Sequence, residues 1–161
     1  MTLQAPELLR YRGRTYSLRT QPLETCDDAA LVARIKAQPV QSTALHRGYR
    51  GTWEIKRGRL WLVDLAGAAP GYTSGTAHLH WDDGHPAPPP LPLAADWFTG
   101  ELVAGVGPAE KVHMYAVDWA SYRIFHVERG VIVGIQVRDN RAKVREGTAR
   151  YARLCRMLDE L

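Results

Sequence analysis

Two apolar stretches separated by a charged turn form a short central tract of the chain, residues 46–65, HRGYRGTWEIKRGRLWLVDL. The tract predicts two β-strands, residues 52–56 and 60–65, because Trp, Ile, Leu and Val pack well on a pleated surface. A three-residue hairpin turn, Arg57-Gly58-Arg59, joins them, and Gly58 supplies the positive φ that the turn needs. The tract indicates how the protein is built, but it carries no decisive chemical motif.

Several other segments show strand patterns. Residues 8–11 and 15–18 form a pair that turns at Arg12-Gly13-Arg14, and residues 95–103, 112–117 and 122–128 give three more strands. The clearest alternation follows a compact turn at Arg129-Gly130, with Gln136 and Arg138 on its polar face and four β-branched residues on the other: Val131, Val133, Ile135 and Val137. This period of two predicts a half-buried antiparallel strand.

Two segments have helical patterns. Thr25 and Asp28 form a capping box before residues 27–37, and Pro39 stops that helix. Asp139 or Asn140 caps a second helix over residues 142–158. Its apolar positions predict a face that docks on the sheet: Val144, Tyr151, Leu154 or Cys155, Leu158 and Leu161.

These elements predict a mainly β (α+β) fold in a single domain of residues 1–161. We expect an antiparallel curved sheet, sandwich or open barrel, with a short helix in the N-terminal half and a helix at the C-terminus. Residues 66–94 have little apolar periodicity, and half of the ten prolines fall between Pro86 and Pro92. Proline lacks the amide donor of a central strand, so this segment is predicted to be a loop.

Composition is typical of a globular protein, with 45% hydrophobic and 24% charged residues. No apolar run approaches the roughly 18 residues that span a bilayer, and the N-terminus has no secretory pattern. Cys26 and Cys155 lie far apart in sequence, which favours two reduced thiols over a disulfide framework. We therefore expect a cytoplasmic protein without a membrane partner.

The histidine-rich part of the predicted loop is the first candidate for chemistry. His78 and His80 lie two residues apart, so on a strand they would share one side, and His85 or Asp82 would add a third metal ligand. Because the tract falls in a loop, the favoured interpretation is a solvated segment with neither a metal nor any other cofactor.

A second candidate is catalytic. His113 and His126 lie on neighbouring predicted strands, and a histidine beside a carboxylate is the minimum for general acid–base catalysis. With Arg50, Glu54 and Asp96 they would form the polar group on a concave sheet face. No serine or cysteine nucleophile in a recognisable context accompanies them, so a structural or surface role is favoured.

Binding of a macromolecule is the third candidate. In the central tract, cations alternate with Tyr49, Trp53 and Trp61, as expected for nucleic-acid binding. A hairpin with a buried aromatic face and solvated charges explains the same pattern, so nucleic acid is the weaker alternative. Trp81 in the loop and Trp119 in a predicted turn are candidate anchors for a protein partner, together with Arg50.

The segments RGYRGTWEI, LWLVDL and ADWFTGEL resemble those of a group of small uncharacterised bacterial proteins with RGYxGTWEI, LxLVDL and ADWFxGxL. The resemblance implies a bacterial setting and a shared β-rich design, and it supplies no catalytic residue. From sequence we therefore expect a non-enzymatic protein-binding module, with an immunity or antitoxin-like protein as one version of it. The alternative is a small-ligand-binding or enzymatic domain that uses the concave sheet face.

Overall fold

A computed structural model describes residues 3–36, 43–67 and 90–160 of the chain. The main elements are eight strands and two α-helices, in the order β1 (Glu7–Tyr11), β2 (Arg14–Leu18), α1 (Ala29–Lys36), β3 (Tyr49–Lys56), β4 (Arg59–Gly67), β5 (Leu93–Ala94), β6 (Gly100–His113), β7 (Ala116–Glu128), β8 (Val131–Asp139) and α2 (Arg141–Asp159). Two 3₁₀ turns, Pro22–Thr25 and Thr43–Leu45, complete the described elements.

Seven of these strands close into a barrel-like sheet. Hydrogen-bonded neighbours follow the order β3, β1, β2, β6, β7, β8 and β4, and β4 pairs in turn with β3. Among the described strands, only β1 and β3 pair in parallel, and β5 adds to β4 outside the ring. The predicted mainly β, curved and largely antiparallel sheet is confirmed. The sheet closes on itself, so the sandwich alternative is wrong.

The hairpin turns are tighter than the sequence predicted. Lys56 pairs with Arg59, so the β3–β4 turn has two residues, Arg57 and Gly58, instead of three. Their φ angles are 52° and 73°, and a positive φ at both positions is the requirement of a type I′ turn. Arg12-Gly13 and Arg129-Gly130 have the same pattern. We call these three dipeptides the arginine turns.

Two predicted strands have different boundaries. Residues 95–99 precede β6 as a turn, so Asp96 is not on a strand. Residues 112–117 are interrupted by the turn between β6 and β7, which places His113 at the end of β6. Gly107 and Pro108 do not end β6, because they lie in a bulge-like irregularity of the β6–β7 pairing, between Val106 and Ala109.

The N-terminal helix is shorter than predicted. It covers eight residues of the expected 27–37, while residue 37 lies outside the described ranges. Its first turn is capped by Asp28, whose Oδ1 accepts a hydrogen bond from the Leu31 amide at 2.9 Å. Thr25 instead donates to the Pro22 carbonyl within the 3₁₀ turn, so the predicted capping box is wrong.

The hydrophobic core fills the ring. Inward positions of β1, β3 and β4 contribute Leu9, Trp53 and Leu62, each 0% exposed. Across the barrel, Phe125 of β7 packs edge-to-face on Tyr11 with ring centroids 5.0 Å apart. Burial of this continuous cluster is the main force that holds the closed sheet together.

The β6–β7 hairpin is held by a second, smaller cluster. Trp119 lies in β7, not in a turn, and it is only 7% exposed. Its ring packs on Tyr122 and lies so close to Gly105 that a Cβ there would overlap it. The prediction of Trp119 as an exposed anchor is therefore wrong, because this side chain is part of the fold.

Helix α2 docks through one apolar face. Val144 is buried, and Gly147 lies against Val112 of β6. Tyr151 is half-buried, whereas Leu158 is 49% exposed. Leu154 and Cys155 are also partly buried, so the predicted apolar face is covered as far as Cys155 and exposed at Leu158.

Candidate functional site

Over most of its length, the outer edge of β8 has no neighbouring strand within residues 3–36, 43–67 and 90–160. β4 and β8 run antiparallel and meet only where both begin, at Arg59 and Val131. The Ile132 amide donates to the Gly58 carbonyl at 2.8 Å, so the turn that starts β4 lies beside this point. Beyond it, residues 134–139 pair with β7 on one side and with no described strand on the other, and Val133 is the extra residue of a bulge against β7.

This open edge has an exposed apolar face. Val133, Ile135 and Val137 are 54%, 50% and 66% exposed, so the apolar side of the strand is not the covered side that a half-buried strand would have. The face is exposed because β8 extends past the β3–β4 turn, where none of the described strands pairs with it. Edge strands of soluble proteins are usually protected by Pro, Lys or a bulge on the free side. From Val131 to Val137 this strand has no charged residue and no proline, so its protection is limited to a bulge at Val133 and to Arg138 and Asp139 at its end.

The arginine turns lie at one end of this edge. The parallel register of β1 and β3 pairs Arg10 with Glu54, which brings the turns after these two strands to the same end of the sheet. The third turn is joined to the second, because the Leu60 amide donates to the Gly130 carbonyl at 2.8 Å. Exposed cations therefore concentrate where the open edge of β8 begins.

A buried carboxyl group lies at the end of the barrel where β1 and β3 begin. Glu7 is 1% exposed and shares the inward face of β1 with Leu9. Trp53 Nε1 donates to Glu7 Oε2 at 2.5 Å, and Arg47 Nε lies 3.6 Å from Oε1. Neither Oε1 nor Arg47 Nε has a hydrogen-bond partner in the described part of the chain. The carboxyl is thus buried with only part of its hydrogen-bonding capacity satisfied.

Burial dominates the electrostatics of this cluster. It raises the pKa of Glu7 to about 7, while the Trp53 hydrogen bond and the Arg47 charge lower it by less. Burial also raises the pKa of Tyr49, and the Glu7 carboxylate adds to that effect. Arg47 lies over the Tyr49 ring at 5.4 Å and donates to the Ala5 carbonyl. Near neutral pH, Glu7 is divided between its charged and neutral forms.

A cleft of about 370 Å³ adjoins Glu7. Its walls come from the N-terminal segment, the end of β2 and the tip of the β6–β7 hairpin, including Leu18, Arg19, Arg47 and Trp119. Arg19 reaches β7, where it donates to the Tyr122 hydroxyl at 2.9 Å and lies 3.7 Å from Asp118. Glu7 Oε1 is nevertheless inaccessible to solvent, so a molecule in the cleft does not reach that atom.

The residues of the predicted catalytic group do not come together. Glu54 and Arg59 line one cleft, and Arg59 Nη2 donates to Asp96 Oδ1 at 3.0 Å. His126 lies 3.6 Å from Glu101 on the β6–β7 ladder, and His113 lies at the hairpin tip beside Tyr115. Arg50 is exposed at an outward position of β3. Arg59 thus contacts Asp96 and shares a cleft with Glu54, while both histidines lie elsewhere.

The predicted loop candidates fall outside the described residues. These are Trp81 and the three histidines of the metal alternative, His78, His80 and His85. Within residues 3–36, 43–67 and 90–160, no three His, Cys, Asp or Glu side chains group as a metal site requires. Cys26 and Cys155 are both free thiols, and burial raises the pKa of Cys26.

Sequence reasoning missed Glu7, although the chain contained a signal for it. The strand was predicted to begin at Leu8, which left Glu7 outside the alternation. Extended by one residue, the same pattern places Glu7 on the face of Leu9 and Tyr11. A charged residue at an inward position of a strand is a reason to expect a buried ion or hydrogen-bond pair.

Comparison of the chain with protein-family models, with curated proteins and with solved structures gives no match. Among the helices that the structure describes, none combines the length and apolar character needed to cross a membrane.

Proposed function

We propose that this chain is a protein-binding module without enzymatic activity, and that its partner adds an extended strand to the open edge of β8. The observation that carries the proposal is the exposed face of Val133, Ile135 and Val137 beside an unpaired strand edge. Strand addition satisfies the free amides and carbonyls of such an edge and buries alternate side chains. An immunity or antitoxin-like role in a bacterium is the specific form of this proposal.

The small-ligand or enzymatic alternative has one supporting observation, the buried carboxyl beside the 370 Å³ cleft. A general base must come within hydrogen-bond reach of the proton that it removes. Glu7 Oε1 is closed to solvent and Oε2 is occupied by Trp53. We therefore favour a structural role for Glu7 and place the function at the β8 edge.

Ile135→Lys is expected to abolish capture of the partner, because it places a charge in the centre of the apolar face. The measurement is affinity capture from the native lysate with quantitative mass spectrometry, on wild type and variant in parallel. Gln136→Lys is the matched control, since it adds the same charge to the same strand on the opposite face. Circular dichroism and thermal unfolding check that both variants fold.

The proposal is supported if one protein is captured in stoichiometric amounts by wild type and by Gln136→Lys but is not captured by Ile135→Lys. It is overturned if wild type and Ile135→Lys capture the same proteins in the same amounts. If the protein is immunity-like, we further expect an excess of it to inhibit its cognate toxin.

A further inference from the structure

We infer that the strand that pairs with β8 comes from another protein and carries acidic residues at the end that reaches the arginine turns. This inference rests on the proposed function and specifies the chemistry of the partner.

Register determines where an added strand ends. Gly58 lies beside Ile132, and the antiparallel register places Arg57 at the level of Val133. An incoming strand can therefore pair with residues 133–139 only, because the turn blocks the edge before Val133. Seven paired residues extend about 23 Å. Whichever direction the partner runs, the end beside Val133 meets the turn at Arg57-Gly58.

Charge at this end of the edge is predominantly positive. The three arginine turns and their flanking residues carry six cations, namely Arg12, Arg14, Lys56, Arg57, Arg59 and Arg129. Three carboxylates lie on the neighbouring positions, namely Glu54, Asp96 and Glu128, and one of them is engaged by Arg59. Arg57 forms no ion pair with the described residues. Acidic side chains on the end of an added strand would complement this surplus.

The apolar face favours a protein over a nucleic acid as the partner. Lys and Arg contacts to phosphates explain binding to a polyanion, but they give no role to Val133, Ile135 and Val137. A protein strand uses both features, because its backbone and apolar side chains pair with β8 while its acidic end meets the cations.

A second copy of this chain fits the same edge less well. Antiparallel pairing of two copies over residues 133–139 would bring the partner's Asp139 beside Arg57 of the first. Arg141 already forms a 2.8 Å ion pair with Asp139, so the charge of the partner's Asp139 carboxylate is already balanced within its own chain. Arg138 and Arg141 of the second copy would also lie near Arg57 of the first, and like charges across an interface disfavour pairing.

The test uses labelled ten-residue peptides as probes, with alternating Val and Thr and three charged residues at one end. Four peptides carry Asp or Lys at the N-terminus or at the C-terminus, and their affinities are measured by fluorescence anisotropy. We expect one Asp-ended peptide to bind about tenfold more tightly than its Lys counterpart, since several exposed ion pairs together have that effect. The difference should shrink in 1 M salt.

Two variants locate the effect. The double change Arg12→Glu with Arg57→Glu is expected to remove the preference for Asp, whereas Arg153→Glu on α2, also exposed, leaves it unchanged. Ile135→Lys should weaken all four peptides alike.

Each contrary result has a distinct meaning. Equal binding of Asp- and Lys-ended peptides, with loss on Ile135→Lys, overturns the acidic partner and leaves the proposed function standing. No binding by any peptide overturns both. A wild-type dimer in light scattering that Ile135→Lys converts to a monomer identifies a second copy as the occupant. Binding of an oligonucleotide that depends on Arg57 but not on Ile135 identifies a nucleic acid instead.

Discussion

Replacing Glu7 by Gln is expected to make the protein more stable at pH 8 and to leave its stability nearly unchanged at pH 5. Burial raises the pKa of Glu7 from 4.5 to about 7 in the folded protein. Between these values the folded state binds a proton that the unfolded state has lost, so the free energy of unfolding falls as pH rises. A shift of this size corresponds to roughly 3 kcal/mol. Gln keeps an oxygen that accepts the Trp53 hydrogen bond but has no proton to lose.

Urea unfolding at pH 5, 6, 7 and 8 measures this effect as the difference between wild type and Glu7→Gln. The control is Glu128→Gln, an exposed carboxylate at the end of β7, which should give no pH-dependent difference. A constant difference between wild type and Glu7→Gln at all four pH values would show that Glu7 does not titrate in this range. In Trp53→Phe, the loss of stability should occur at higher pH than in wild type, because the Trp53 hydrogen bond lowers the pKa of Glu7.

Gly105→Ala is expected to destabilise the protein by about 1–3 kcal/mol, the usual range for overpacking a close contact. A Cβ at this position overlaps the Trp119 ring, which cannot rotate away without leaving its contact with Tyr122. The expected structural result is release of the β6–β7 hairpin tip. Thermal unfolding measures the loss of stability, and the rate of trypsin cleavage after Lys111 reports exposure of the tip.

The matched control for this change is Gly134→Ala on β8. A Cβ there meets its nearest described neighbour, His126, at 3.4 Å, and the site is half-exposed. It should therefore have little effect on stability or on cleavage. Equal melting temperatures for Gly105→Ala and wild type would show that Trp119 does not depend on this close contact.

Local features of the fold were predictable from sequence. The strands on either side of the arginine turns and both α-helices were located within a few residues, because hairpins and caps depend on neighbours in the chain. Ring closure was not predictable. It depends on the parallel pairing of Leu9 with Trp53, two residues more than forty positions apart, and no local pattern encodes that pairing.

The candidate sites show the same limit. Alternation along β8 correctly indicated a strand, but it assigned Val133 and Ile135 to a covered face. Their exposure depends on where the β3–β4 turn ends, which is a property of the assembled ring. Glu7 was recognisable in principle as an inward charge, yet its neighbours Arg47 and Trp53 come from distant sequence, and they determine its electrostatics.

The contact between β4 and β8 has a consequence for how the ring forms. The four hairpins β1–β2, β3–β4, β6–β7 and β7–β8 need only local chain closure, which is fast, whereas the β1–β3, β2–β6 and β4–β8 pairings join segments distant in sequence and form slowly. Only one register pair and two flanking hydrogen bonds hold the β4–β8 junction. Local opening begins where few contacts hold the backbone, so the amides of Leu60 and Ile132 should exchange with solvent before those of the β6–β7 ladder. The junction beside the open edge is thus also the place where the barrel closes last and opens first.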